Sequence, residues 1–312
     1  MKELSRITEI FTESVIREMT RICDAAGGIN LAQGFPDFEA PAAIKEAAIK
    51  AIKENFNQYA VTFGEPELRN AICKKVLRYN NIECNPDTDI TVTCGATEAM
   101  IATLKAIINP GDEFIVFEPF YENYGPDGIL SGATPKYVTL HSPDWNYNLD
   151  ELSAAFNEKT KAIIINTPNN PTGKVFSEAE LAEIAELCQK HDVYAITDEI
   201  YEHILYDGAK HISIASLPGM KERTITINSV SKTYSVTGWR VGWAIAPKEI
   251  TARIRKVHDF LTVGAPYPLQ HAAAAALEYA EEYYAGLQSH YNNSRSFLFN
   301  LLKEKGFKLH KP

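Results

Sequence analysis

The chain has 312 residues, 45% of them hydrophobic and 23% charged, with a net charge of −9. That is enough apolar chain for a substantial core, read here as one large α/β domain plus a smaller part. Lysine and arginine are interspersed with glutamate along the helices and form no basic patch, which argues against nucleic acid and anionic membranes as partners.

At the N-terminus, MKELSRITEIFTESVIREM carries charge in every turn and has no apolar segment of the secretory type. No apolar run approaches the ~18 residues of a membrane span. The five cysteines, Cys23, Cys73, Cys84, Cys94 and Cys188, show no CxxC pair and no zinc spacing, so no metal site is expected. Their odd number argues against a disulfide framework, and they read as small core hydrophobes in a cytoplasmic protein.

Residues 33–41 (QGFPDFEAP) form a loop, and 42–55 a helix. Strands are expected at 89–93 (DITVT), 113–117 (EFIVF), 136–140 (KYVTL), 161–165 (KAIII), 193–197 (VYAIT), 224–228 (TITIN) and 241–246 (VGWAIA). Helices fall between them. The clearest is 178–191, with Ser177 as N-cap and Leu181, Ile184, Ala185 and Leu187 as its apolar stripe. The alternation predicts an α/β fold, a mostly parallel seven-stranded sheet between helices.

Parallel sheets bind ligands beyond the carboxyl ends of their strands. After the first strand, CGATEAM opens a helix: Gly95 permits a sharp turn, and the N–H groups of Ala96 and Thr97 suit an anion. A capped turn is an equal alternative there. Neither GxGxxG nor GxxxxGK[ST] occurs, so neither a dinucleotide nor a P-loop nucleotide is indicated. After the fourth strand, NTPNNPTG holds Asn170 at the sheet edge or simply stiffens a crossover. After the fifth, Asp198 either caps a helix or faces a cationic ring nitrogen, with Tyr201 three residues on. After the sixth come Ser229, Ser231, Lys232 and Arg240. Hydroxyls and a guanidinium suit phosphate. A lysine in their midst is an amine nucleophile whose neutral form is made easier to reach. An imine-forming amine, an anion seat, a carboxylate and donors to a ring oxygen are together what pyridoxal 5'-phosphate requires.

With these motifs assembled, the chain resembles the pyridoxal-phosphate-dependent aminotransferases of fold type I, classes I and II, in the branch of kynurenine, glutamine, methionine and aromatic aminotransferases. The resemblance runs from about Ile29 to the end, through NLAQGFPDF, NQYAVTFGEPELRNAI, TCGATEAM, EPFYENY, NTPNNPTGKVF, TDEIYEHI and SVSKTYSVTGWRVGW. It implies that Lys232 holds the cofactor and moves the substrate proton, that Asp198 pairs with the pyridine nitrogen, and that Tyr201 and Asn170 bind the ring's phenolic oxygen. Tyr121 takes the place of the residue stacked on the ring. Gly95, Ala96, Thr97, Ser229 and Arg240 would hold the phosphate, with Ser231 beside them. Tyr59 matches a tyrosine that reaches the neighbouring subunit's phosphate, implying a homodimer with shared sites, and Gly34 and Asn170 face the substrate carboxylate. Relatives also imply cis bonds between Glu118 and Pro119 and between Asn170 and Pro171.

The expected organisation is an N-terminal arm and part of a small domain over 1–40, the large cofactor domain over 41–285, and the start of the small domain over 286–312. Family members continue into a further segment carrying an arginine for the substrate α-carboxylate, so the chain is expected to be a C-terminally truncated piece with weakened transamination. The expected activity is transfer of the amino group of a neutral, aromatic or sulfur-containing amino acid to a 2-oxo acid, because Thr97 and 263–270 carry no charge that would select aspartate. A carbon–sulfur β-lyase on the same cofactor, separated by release of pyruvate and ammonia, and a non-catalytic binding module are the alternatives.

Overall fold

The computed structural model describes residues 2–312. Among these residues there are ten α-helices: α1 (Val15–Ala25), α2 (Ala42–Lys53), α3 (Pro66–Asn80), α4 (Gly95–Ile107), α5 (Tyr124–Leu130), α6 (Leu149–Ala155), α7 (Glu178–His191), α8 (Lys248–Leu261), α9 (Tyr267–Leu277) and α10 (Glu281–Glu304). Seven strands, β1 (Ile90–Thr93), β2 (Glu113–Glu118), β3 (Thr134–Thr139), β4 (Thr160–Asn166), β5 (Tyr194–Asp198), β6 (Thr224–Ser229) and β7 (Gly242–Ile245), pair in the order β1-β7-β6-β5-β4-β2-β3. β7 runs antiparallel to both neighbours, and every other pairing is parallel.

All seven expected strands form. β3 differs most: it starts at Thr134, two residues early, and takes in Pro135. Proline cannot donate to a ladder, and β3 tolerates it because it is the sheet edge, paired only with β2. The inner strands are apolar on both faces because helices cover both. Phe114, Val116, Ile164, Ile196 and Ile227 point towards one layer, where α4 and α8 pack together. Ile115, Phe117, Ile163, Ile165 and Ala195 point towards the other, with Leu181, Ile184 and Cys188 of α7. This alternation is the period-two side-chain geometry of a strand.

α7 begins as its sequence predicts. Ser177 Oγ accepts from the Glu180 amide and the Glu180 carboxylate accepts from the Ser177 amide, a reciprocal capping box. Of the cysteines, only Cys188 is fully buried. Cys73, Cys84 and Cys94 are partly buried against the core rather than within it, and the Cys73 and Cys84 thiols lie 2.9 Å apart. The peptide bonds before Pro119 and Pro171 are cis as expected, as are those before Pro143 and Pro168. Among the described residues no helix is long and apolar enough to cross a membrane.

Candidate active site

The carboxyl ends of β1, β4, β5 and β6 converge on a cavity of about 440 Å³. It is lined by Gly34, Ala96, Thr97, Tyr121, Asn170, Asp198, Tyr201, Ser229, Ser231, Lys232 and Arg240, eleven residues gathered from six separate motifs. Gly95 borders it through Arg240. Tyr59 does not line it; its side chain is 84% exposed.

The sheet register builds the floor. Asn166 at the end of β4 pairs with Asp198 at the end of β5, which in turn pairs with Ile227 of β6. Asn166 donates from Nδ2 to the Asp198 carbonyl (3.0 Å) and accepts at Oδ1 from the Asn170 amide (2.7 Å), which sets the Asn170 loop over the strand ends. The Asp198 carboxylate is buried and accepts from the Tyr124 hydroxyl at Oδ2 (2.8 Å) and from the Ile200 amide at Oδ1 (3.3 Å). Burial pushes its pKa up to about 6, against the pull of these two donors. Burial likewise raises the Tyr201 and Tyr121 phenols, so both remain protonated hydrogen-bond donors at neutral pH.

Lys232 answers differently. Burial and then the nearby Arg240 charge lower its pKa, with Asp198 opposing them. Its Nζ donates to the Gly34 carbonyl (2.9 Å) and lies 5.8 Å from the centre of the Tyr201 ring. The result is an amine whose neutral form is more accessible than an exposed lysine's.

Opposite lies an anion seat at the first turn of α4, where the N–H groups of Ala96 and Thr97 have no partner within the helix. Arg240 donates from Nη1 to the Thr237 carbonyl (3.0 Å) and from Nη2 to the Cys94 carbonyl (3.4 Å), using two of its five N–H donors. Gly95 adopts φ +80°, and a Cβ there would lie 2.4 Å from Arg240 Nη2, so only glycine admits the guanidinium. A Cβ on Gly242 of β7 would sit 2.6 Å from the Ala96 nitrogen; this glycine lets the helix start approach the sheet.

Several residues of the cavity escaped the sequence reading. Tyr124 and Asn166 orient Asp198 and Asn170, and both lie within motifs singled out above, one position or a few from the residues chosen. α1 contributes Ile16 and Arg17, and α5 contributes Asp127. Asp127 is buried, its Oδ2 has no hydrogen-bond partner among the described residues, and burial lifts its pKa to about 7.

A parallel-sheet α/β enzyme with an activated lysine, a buried carboxylate and a helix-terminal anion seat is thereby defined. Residues 26–312 match the family described as aminotransferase class I and II, and the chain belongs to it. It is 41% identical to the kynurenine–oxoglutarate transaminase of Dictyostelium discoideum, over 97% of this chain and 74% of that protein. It is 38% identical to the methionine aminotransferase of Escherichia coli K12, over 96% and 78%. The solved N-succinyldiaminopimelate aminotransferase of Mycobacterium tuberculosis superposes with a TM-score of 0.95 at 38% identity, covering 99% of this chain and 81% of that one. The protein is a fold type I aminotransferase, dependent on pyridoxal phosphate, that transaminates amino acids.

The donor set fits that cofactor. Amine, buried carboxylate, phenol, amide and anion seat share one cavity, and a carboxylate whose pKa burial has raised is one that a cationic ring nitrogen would stabilise.

Proposed function

We propose that Lys232, Asp198 and Tyr201 carry the catalysis, and that the substrates are a neutral, aromatic or sulfur-containing amino acid and a 2-oxo acid acceptor. The observation that bears most weight is the placement of the Lys232 amine, 2.9 Å from the Gly34 carbonyl, in the cavity it shares with Asp198 and the anion seat. When bound, pyridoxal phosphate supplies an electron sink that stabilises negative charge at the substrate's α-carbon. Lys232 would hold the cofactor through Nζ, and with that amine free it would take and return the proton of the substrate's α-carbon. A neutral amine is required for the first of these transfers, which is what burial and Arg240 favour.

Asp198 holds its carboxylate towards the ring nitrogen, steadied by Tyr124 and the Ile200 amide. Tyr201 and Asn170 would donate to the phenolic oxygen, and the Tyr121 ring would offer its face to the pyridine. Gly95, Ala96, Thr97, Ser229, Ser231 and Arg240 hold the phosphate. Gly34 and Asn170 border the substrate carboxylate. The exposure of Tyr59 supports a role across a homodimer interface, and the apolar surface at Val61, Phe260 and Val263 supports the same assembly. We place the enzyme in the cytoplasm, in keeping with five free thiols.

The donor class rests on the absence of charge at Thr97 and along 263–270. A panel of amino donors, read by the change in cofactor absorbance, tests it. Methionine, phenylalanine and kynurenine are expected to react faster than aspartate; a preference for aspartate overturns the assignment.

A further inference from the structure

Behind the anion seat lies a buried pair that the reaction scheme does not use. Glu98, in the first turns of α4, accepts at Oε2 from the Cys94 amide, and at Oε1 from the Thr262 hydroxyl (2.7 Å) and from His258 Nδ1 (2.6 Å). His258, on α8, is fully buried, and its Nε2 faces the Thr62 carbonyl at 2.7 Å. A carbonyl only accepts, so Nε2 carries hydrogen. The carboxylate already takes two other donors, which favours the proton between Nδ1 and Oε1 on the ring, with His258 as an imidazolium between two acceptors. The ionisable groups around it are Glu98 from α4, Asp259 from its own helix, and the Cys94 thiol, which the Glu98 carboxylate also touches. Burial opposes the charge on both partners, yet the His258 pKa stays above the ordinary imidazole range and that of Glu98 below the ordinary carboxylate range.

A capping carboxylate at the start of a helix is ordinary. This one, however, sits beside the N–H groups of Ala96 and Thr97 that line the cavity, where an uncompensated negative charge would repel a phosphate. We propose that His258 is a positioning residue for the phosphate seat: its imidazolium cancels the Glu98 charge and ties the first turn of α4 to α8 and to the Thr62 segment. The inference rests on the phosphate seat assigned above to Ala96, Thr97 and Arg240. Because the imidazolium form contributes the affinity, that contribution is complete below the raised His258 pKa and is lost as pH rises through it.

The test compares pyridoxal phosphate with pyridoxal, which lacks the phosphate, by equilibrium binding to the full chain. His258→Gln is expected to weaken pyridoxal phosphate about tenfold or more, by the interaction of unit charges several ångströms apart in a partly buried site, and to leave pyridoxal within about threefold. The double variant His258→Gln/Glu98→Gln is expected to recover most of the loss. Glu98→Gln alone keeps the affinity and removes the pH dependence that distinguishes the parent from His258→Gln, and it serves if His258→Gln fails to fold. Equal weakening of both ligands, no recovery in the double variant, or an unchanged pH profile in Glu98→Gln overturns the inference. Arg240→Ala separates the two levels: if it leaves pyridoxal phosphate affinity unchanged, the seat itself is misassigned, whereas if it weakens binding and His258→Gln does not, only the role of His258 fails.

Discussion

Lys75→Met is expected to destabilise the protein by about 3–5 kcal/mol, the cost of stranding one partner of a buried ion pair. Lys75 lies on α3 with its side chain 2% exposed, pairs with the 3%-exposed carboxylate of Glu202, and donates to Asn80 Oδ1 at 2.8 Å. Glu202 also accepts from Asn80 Nδ2 (2.7 Å) and Asn228 Nδ2 (2.6 Å). Burial is the strongest single influence and raises its pKa; the charge and hydrogen bond of Lys75, together with the nearby His203 and His211, outweigh it and hold the pKa at about 2. Methionine fills most of the lysine stem's volume but leaves the carboxylate without its lysine partner. Since the native pKa of Glu202 lies below the unfolded value near 4.3, the pair stabilises the fold above about pH 4.3 and loses its effect as pH falls towards 2. Urea unfolding of parent and variant at pH 7.5 and pH 3.5 measures the effect, which should shrink at the lower pH. Adding Glu202→Gln to Lys75→Met should recover part of the loss, as a double-mutant cycle reports. Because Asn228 directly precedes Ser229 of the proposed phosphate seat, Lys75→Met should also weaken cofactor binding. A loss below about 1 kcal/mol at pH 7.5 would refute the reasoning, since it would mean that the carboxylate is not held buried and ionised by this lysine.

Asp127→Asn tests the buried carboxyl of the cavity. Its native pKa of about 7 exceeds the unfolded value, so the acid favours folding at low pH and progressively opposes it up to about pH 7; the variant should gain on the order of 2–4 kcal/mol more at pH 8 than at pH 4, and equal effects at both would contradict this. Arg17→Gln tests the cavity cation from α1, whose charge acts on Tyr121. Loss of a charge-assisted contact of about 1.5–3 kcal/mol should raise KM roughly tenfold to a hundredfold for a dicarboxylic 2-oxo acid, while a monocarboxylic acceptor is little affected; parallel changes for both acceptors would remove Arg17 from acceptor recognition.

The strands were legible because inner parallel strands are apolar on both faces, and the residues just past them could be singled out because the sheet brings those ends together. The edge strand was placed less well, since Pro135 argues for a later start unless it is known that one side of β3 is unpaired. Lys232, Asp198 and Arg240 stood out as charged groups at the ends of apolar runs. Tyr124 and Asn166 did not, because an aromatic or an amide inside a motif gains its role only from the partner it meets in space, here Asp198 and Asn170. The Glu98–His258 pair joins residues 160 positions apart, and no local pattern marks either as the other's partner. Cysteine's burial habit points to the core, but Cys73, midway along α3, and Cys84, in the segment after it, pack against the core while staying partly exposed.

The central claim, that Lys232 is the amine holding the cofactor, is tested most directly by borohydride reduction of the protein loaded with pyridoxal phosphate, followed by peptide mapping. The account predicts a single phosphopyridoxyl group on the peptide containing Lys232, absent from Lys232→Ala; a stable label on any other lysine of the chain would contradict it.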